Sequence, residues 1–143
     1  MADRPPQATI PSEQDPRLVR LQQFFSDKDC PAHKFAGDFI EAADNNDLDW
    51  RLLPSISYVE SGGGREYRNN NILGWANAGK RFQSVRAGIH LVAERLATSP
   101  LYRDKGVDDI LRTYNPEHGE YAARVKSVMR QIAKHELLRT TFN

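Results

Sequence analysis

Apolar residues recur along this chain at intervals of three and four, the spacing that gives a helix one buried stripe. Leu18, Leu21, Phe24 and Phe25 predict a first helix over about 16 to 26, opened by Asp15-Pro16 and closed by the polar run Asp27 to Asp29. Pro31 suits a first helical position, so a second helix is expected from there, with Phe35, Phe39, Ala42 and Ala43 inside and Asn45-Asn46 at its end. Leu48 and Trp50 should fold the following turn onto the core. A third helix is expected from Arg51 to about Ser61, with Pro54 tolerable in its first turn. Phe82, Val85, Ile89, Val92, Ala93 and Leu96 mark the clearest helix, about 82 to 98, which Ser99-Pro100 breaks. Val107, Ile110 and Leu111 give a short helix at about 107 to 113. Asn115 reads as an N-cap followed by Pro116, opening a last helix through about 135 with Tyr121, Val125, Val128, Met129 and Ile132 on its inner face. The expected fold class is all-α, with six helices.

The stretch from 62 to 81 breaks this rhythm. Gly62 to Gly64, Asn69 to Asn71, Gly74 and Gly79 follow no period, and an irregular segment of this length in a compact domain is usually functional or disordered. Tyr67, Ile72, Leu73, Trp75 and Phe82 are interleaved with it and argue for order. It reads as an active-site loop, with a small β-hairpin as one form it can take. Residues 1 to 14, with Pro5, Pro6 and Pro11, read as a flexible leader, and residues 15 to 143 as a single domain.

Composition narrows the classes. The chain has 143 residues, 39% hydrophobic and 27% charged, with net charge +1. A chain of this size buries roughly 68–70% of its unfolded surface. Acids and bases alternate, so there is no basic patch for nucleic acid, and no apolar run nears the ~18 residues of a membrane span. A monomer is expected. Cys30 is the single cysteine, which excludes an internal disulfide and a cysteine zinc site, and it reads as a small structural residue. His33, His90, His118 and His135 show no metal spacing, and Gly62 to Gly64 lacks the Lys-Ser/Thr of a phosphate loop, so neither metal nor cofactor is expected. Ala2 to Pro6 lack the apolar run of a signal peptide, which fits a cytoplasmic chain or a mature segment equally.

Chemistry concentrates at Glu60. On a helical wheel Leu52, Leu53, Ile56 and Val59 share one apolar arc, and Glu60 falls inside it, between Ile56 and Leu53. A carboxyl on a buried face keeps its proton, and the C-terminal end of a helix disfavours negative charge. Both effects suit a general acid near neutral pH. The plainer alternative is a glutamate that reaches water from a helix end. The loop that follows favours the first reading: glycines allow close approach of a ligand, and Asn69 to Asn71 offer amides. Tyr67 and Trp75 could stack on sugar faces, although Trp75 equally suits a core plug. Glu66 is the only other acid in the loop.

Taken in order, several segments resemble the lysozyme-like superfamily: Ile56-x-x-Val59-Glu60-Ser61-Gly62-Gly63, then Asn70-Asn71-Ile72-Leu73-Gly74-Trp75, then Phe82-x-Ser84-Val85-x-x-Gly88-Ile89, then Tyr114-Asn115-Pro116 and Tyr121-x-x-Arg124-Val125. The nearest look-alikes are the endo-β-N-acetylglucosaminidase domains of bacterial autolysins, then the soluble lytic transglycosylases, over about residues 30 to 133. The resemblance implies a helical fold with a cleft for the peptidoglycan glycan strand, Glu60 as catalytic glutamate, and an extracytoplasmic place in the periplasm or cell envelope. It suggests that Tyr114 lies beside the catalytic site and that Asn71 to Trp75 forms a cleft wall; the expected substrate contacts are thus Ser61, Tyr67, Asn70, Asn71, Trp75 and Tyr114. Where transglycosylases carry Gly-Leu-Met-Gln, this chain has Gly74-Trp75-Ala76-Asn77, and the insertion common in glucosaminidases after the glutamate is trimmed. Hydrolysis by a single glutamate, transglycosylation to a 1,6-anhydro product, and glycan binding without turnover all stay open.

Overall fold

The computed structural model describes residues 15–135, and the leader expected at 1 to 14 lies outside them. Six α-helices and one 3-10 turn follow in order: α1 Pro16–Asp27, the 3-10 turn Pro31–Phe35, α2 Ala36–Asn46, α3 Leu52–Ser61, α4 Val85–Thr98, α5 Val107–Tyr114 and α6 Tyr121–Ile132. Among the described residues the all-α class with six helices holds.

Local chemistry fixes several boundaries. Asp15 caps α1, its carboxylate accepting the Arg17 N–H at 2.9 Å. The expected second helix divides at its start: Pro31 opens a 3-10 turn in which the His33 N–H reaches Cys30 O at 3.1 Å, and the α-helix proper begins at Ala36. The fourth helix starts at Val85, later than the periodicity alone indicates, because Ser84 caps it through the Ala87 N–H at 3.0 Å. Asn115 is not an N-cap. Its N–H closes α5 on Leu111 O at 3.1 Å, residues 116 to 120 turn, and α6 spans only Tyr121–Ile132.

α2 packs on α4 and α3 on α6, while α1 closes over α2 and α5 over α6. Their shared core holds Leu21, Phe25, Phe39, Ile56, Ile89, Val125 and Ile132, all wholly buried. Two buried or half-buried guanidiniums tie the ends of elements together. Arg17 forks onto Asp15 and Asp44 at 2.8–2.9 Å, linking α1 to α2. Arg51 holds Asp49 and reaches Ala133 O at 2.7 Å, pinning the start of α3 to the end of α6.

α3 is the central element. Leu52 to Ser57 are buried without a break, so this part of the helix has no solvent face at all. Burial extends past the apolar arc to two small polar residues, Ser55 and Ser57. Only Tyr58, Val59 and Glu60 in its last turn reach outward. From there the chain enters the 62–84 segment, in which no strand forms among the described residues, so the hairpin is replaced by consecutive turns. The physical reason is left-handed backbone at Asn69, Asn70, Gly74, Ala76, Asn77 and Ala78, which cannot join a ladder.

Candidate functional site

The last turn of α3 delivers Glu60 to an open cleft of about 300 Å³, lined also by Ser61, Glu66, Tyr67, Arg68 and Asn71. The wheel expectation needs correcting here. Glu60 is an exposed residue, because the helix leaves the core at this turn; position along the axis decides, not angle around it. Its carboxyl end is nevertheless crowded. Gly74 passes so close that a Cβ there would lie 2.7 Å from Glu60 Cδ, and its φ of +66 is also one that L side chains rarely adopt. Tyr121 closes another side. Its ring is 2% exposed, and its hydroxyl, buried and without a well-formed hydrogen bond, faces the Glu60 carboxyl.

This crowding governs the proton on Glu60. Loss of water around the carboxyl raises its pKa, and the Tyr121 hydroxyl and the Arg124 guanidinium offset part of that rise. The same enclosure, with Glu60 nearby, pushes the Tyr121 hydroxyl far upward, so it stays a donor at any physiological pH. Tyr114 is raised in the same way, first by burial and then by Tyr121 and Glu60.

The other residues expected to bind substrate are brought to this neighbourhood in different states. Ser61 lines the cleft, but its hydroxyl lies 2.7 Å from Ile72 O and 3.1 Å from Ser57 O and accepts the Gly64 N–H at 3.0 Å. It braces the helix end against the loop. Asn71, 3% exposed, donates to Trp75 O at 2.9 Å and Lys80 O at 3.0 Å and accepts the Trp75 N–H at 3.0 Å. Asn70 donates to Phe82 O at 3.0 Å. The amides therefore hold the loop in place of a sheet ladder. Trp75 packs its ring between Tyr102 and Tyr114 at 5.9 and 5.7 Å, the plug arrangement, and Tyr114 stacks on Tyr121 with its hydroxyl on Leu73 O at 2.5 Å. Tyr67 alone among these presents a free face, at 49% exposure, inside the cleft.

Sequence reasoning treated Tyr121 as core and passed over Arg68. The available signal for Tyr121 was its spacing from Arg124, i to i+3 on one helix side, which places a phenol and a guanidinium together. Cys30 is buried and lies under the loop: a Cβ on Gly63 would meet it at 2.7 Å. One group able to hold a metal occurs among the described residues, Asp38, Glu41 and His90, with ligand atoms within 4.8 Å of one another. Arg86 Nε already sits 2.7 Å from Asp38 Oδ1, which makes it an ion network joining α2 and α4. No protein-family model, curated protein or solved structure matches the chain.

Proposed function

We propose that the chain is a lysozyme-like domain that cleaves the β-1,4 bond between N-acetylated amino sugars in peptidoglycan, with Glu60 as general acid and then base. The observation that carries this reading is the crowded carboxyl: Glu60 stands in a cleft, keeps its proton more firmly than an ordinary glutamate, and faces a buried hydroxyl. Glu60 protonates the leaving glycosidic oxygen. The acetamido group or the 6-hydroxyl of the sugar supplies the nucleophile, and the acetamido route ends in hydrolysis while the 6-hydroxyl route ends in a 1,6-anhydro sugar. The Tyr121 hydroxyl, already facing the Glu60 carboxyl, then donates to the carboxylate that Glu60 becomes. The reading carries an extracytoplasmic location with it.

Glu66 supports a second scheme, because it is the only other carboxylate lining the same cleft. In that scheme it acts as the base for a water, as inverting glycosidases do. The test is clearing of a cell-wall suspension by wild type, Glu60→Gln and Glu66→Gln, each checked for helical content by circular dichroism. The single-acid scheme expects clearing to vanish in Glu60→Gln and persist in Glu66→Gln. Loss in both selects the two-carboxylate scheme, and clearing by a folded Glu60→Gln protein removes the assignment. Glycan binding by wild type without any product leaves a non-catalytic module.

A further inference from the structure

Between Trp75 and Lys80 the backbone takes a conformation that its residues resist. Ala76, Asn77 and Ala78 are all left-handed, at φ 55, 56 and 65, the only run of three such non-glycine residues among the described ones. Asparagine tolerates this region, but in alanine the Cβ crowds the following carbonyl, and L residues visit it singly rather than in runs. The cause lies at the two ends. One amide, Asn71 Nδ2, donates to Trp75 O at 2.9 Å and to Lys80 O at 3.0 Å, so residues 76 to 79 must leave and return over a short span. Trp75 is fixed further by its ring, set between Tyr102 and Tyr114. Within this strap the hold is slight. The Ala78 N–H reaches Trp75 O at 3.0 Å and Gly74 O at 3.2 Å, and the Gly79 N–H reaches Ala76 O at 3.0 Å. Asn69 Nδ2 lies 3.4 Å from Ala78 O, and Ala76 and Asn77 are exposed.

The strap is also a wall of the Glu60 cleft, which Ala78 lines together with Gly74. The cleft holds about 300 Å³, the lower end of the roughly 300–1,000 Å³ of pockets for a single small ligand. An extended strand needs more room, so some wall must yield. Ser61 is locked to Ile72 O, and Asn71 to both ends of the strap. Residues 76 to 78, in contrast, release strain when they leave the left-handed region. Strained backbone of this kind gathers at ligand clamps and switch regions, and moving elements are drawn from the weakly held parts of a fold. We propose that residues 76 to 79 are a gate on the Glu60 cleft, sprung by their left-handed backbone, which opens about Trp75 and Lys80 to admit an extended ligand. This rests on the reading of the Glu60 cleft as a glycan site and adds how that site is opened.

Glycine occupies the left-handed region freely, so Ala76→Gly combined with Ala78→Gly removes the spring and holds the gate shut. Three readouts should move together. The melting temperature should rise, although glycine in place of alanine ordinarily lowers it. Amide hydrogen exchange at Ala78 and Gly79, followed by NMR, should slow about tenfold. Chitotetraose, titrated by calorimetry in the Glu60→Gln background so that it survives, should bind about tenfold more weakly, equivalent to ~1.4 kcal/mol. Ala76→Val adds a β-branched residue at an exposed left-handed position and should reverse each sign. Unchanged exchange in the glycine variant overturns the proposal. Slowed exchange with unchanged affinity overturns it too, while the glycan reading stands. If chitotetraose binds none of these proteins, the glycan reading falls and the gate with it.

Discussion

Replacing Gly74 by alanine tests the link between the loop and the acid. The added Cβ would lie 2.7 Å from Glu60 Cδ, well inside any tolerated contact, and the residue would also have to hold φ +66. Left-handed backbone costs an L residue roughly 1–2 kcal/mol. For a domain of this size that lowers the melting temperature by about 3–8 °C. The second effect falls on position. The carboxyl is the movable partner, because Gly74 is followed by Trp75, whose N–H and carbonyl are both held by Asn71. Glu60 must therefore swing out of the cleft, and displacement of a catalytic group by ~1 Å can cost on the order of 100-fold in rate. Gly74→Ala should thus lose cell-wall clearing far out of proportion to its modest loss of stability, measured by turbidity decay and thermal denaturation on the same preparation. Gly63→Ala is the control. Its Cβ meets Cys30 and Phe25 rather than the carboxyl, so stability should fall while the surviving folded protein keeps its specific activity. A Gly74→Ala protein with wild-type clearing would refute the reasoning.

Two further substitutions test the electrostatics. Tyr121→Phe removes a hydroxyl that holds the Glu60 pKa down, so Glu60 should stay protonated to higher pH and the alkaline limb of kcat/KM should move upward. Since that hydroxyl faces the Glu60 carboxyl without a well-formed hydrogen bond, stability should be little changed, and an unmoved pH profile would show that it does not act on Glu60. Glu60→Gln should show the linkage sign directly. A carboxyl whose pKa is raised by folding binds its proton more tightly in the native state, so native stability falls as pH rises from the unfolded value through the folded one. The Gln protein lacks that loss and should match wild type in acid but melt at higher temperature above neutrality; equal melting temperatures at all pH values would contradict the raised pKa.

Helix content was legible because the core residues of α1, α2, α4 and α6 repeat with helical period and are in fact buried. Ends were less so. Asn115-Pro116 has the composition of an N-cap, yet the Asn115 N–H closes α5 on Leu111 O, next to the buried Ile110 and Leu111. The wheel misjudged Glu60 because α3 is buried on every side through Ser57, so angular position carries no information until the helix emerges. Asparagines of the loop looked like ligand donors, since amide chemistry is the same whether the acceptor is a sugar or the Phe82 and Lys80 carbonyls. Tyr121 was hidden for a related reason: a phenol on an inner face reads as core, and only the place of its hydroxyl against the Glu60 carboxyl marks it out.

Under the proposed function, Glu60 is the proton donor of a glycan-cleaving site. Mass spectrometry of purified peptidoglycan incubated with wild type and with Glu60→Gln tests it most directly. Wild type should release amino-sugar fragments, reducing or 1,6-anhydro at the new end, and a folded Glu60→Gln protein should release none. Fragments of the same kind and yield from the Gln protein would contradict it.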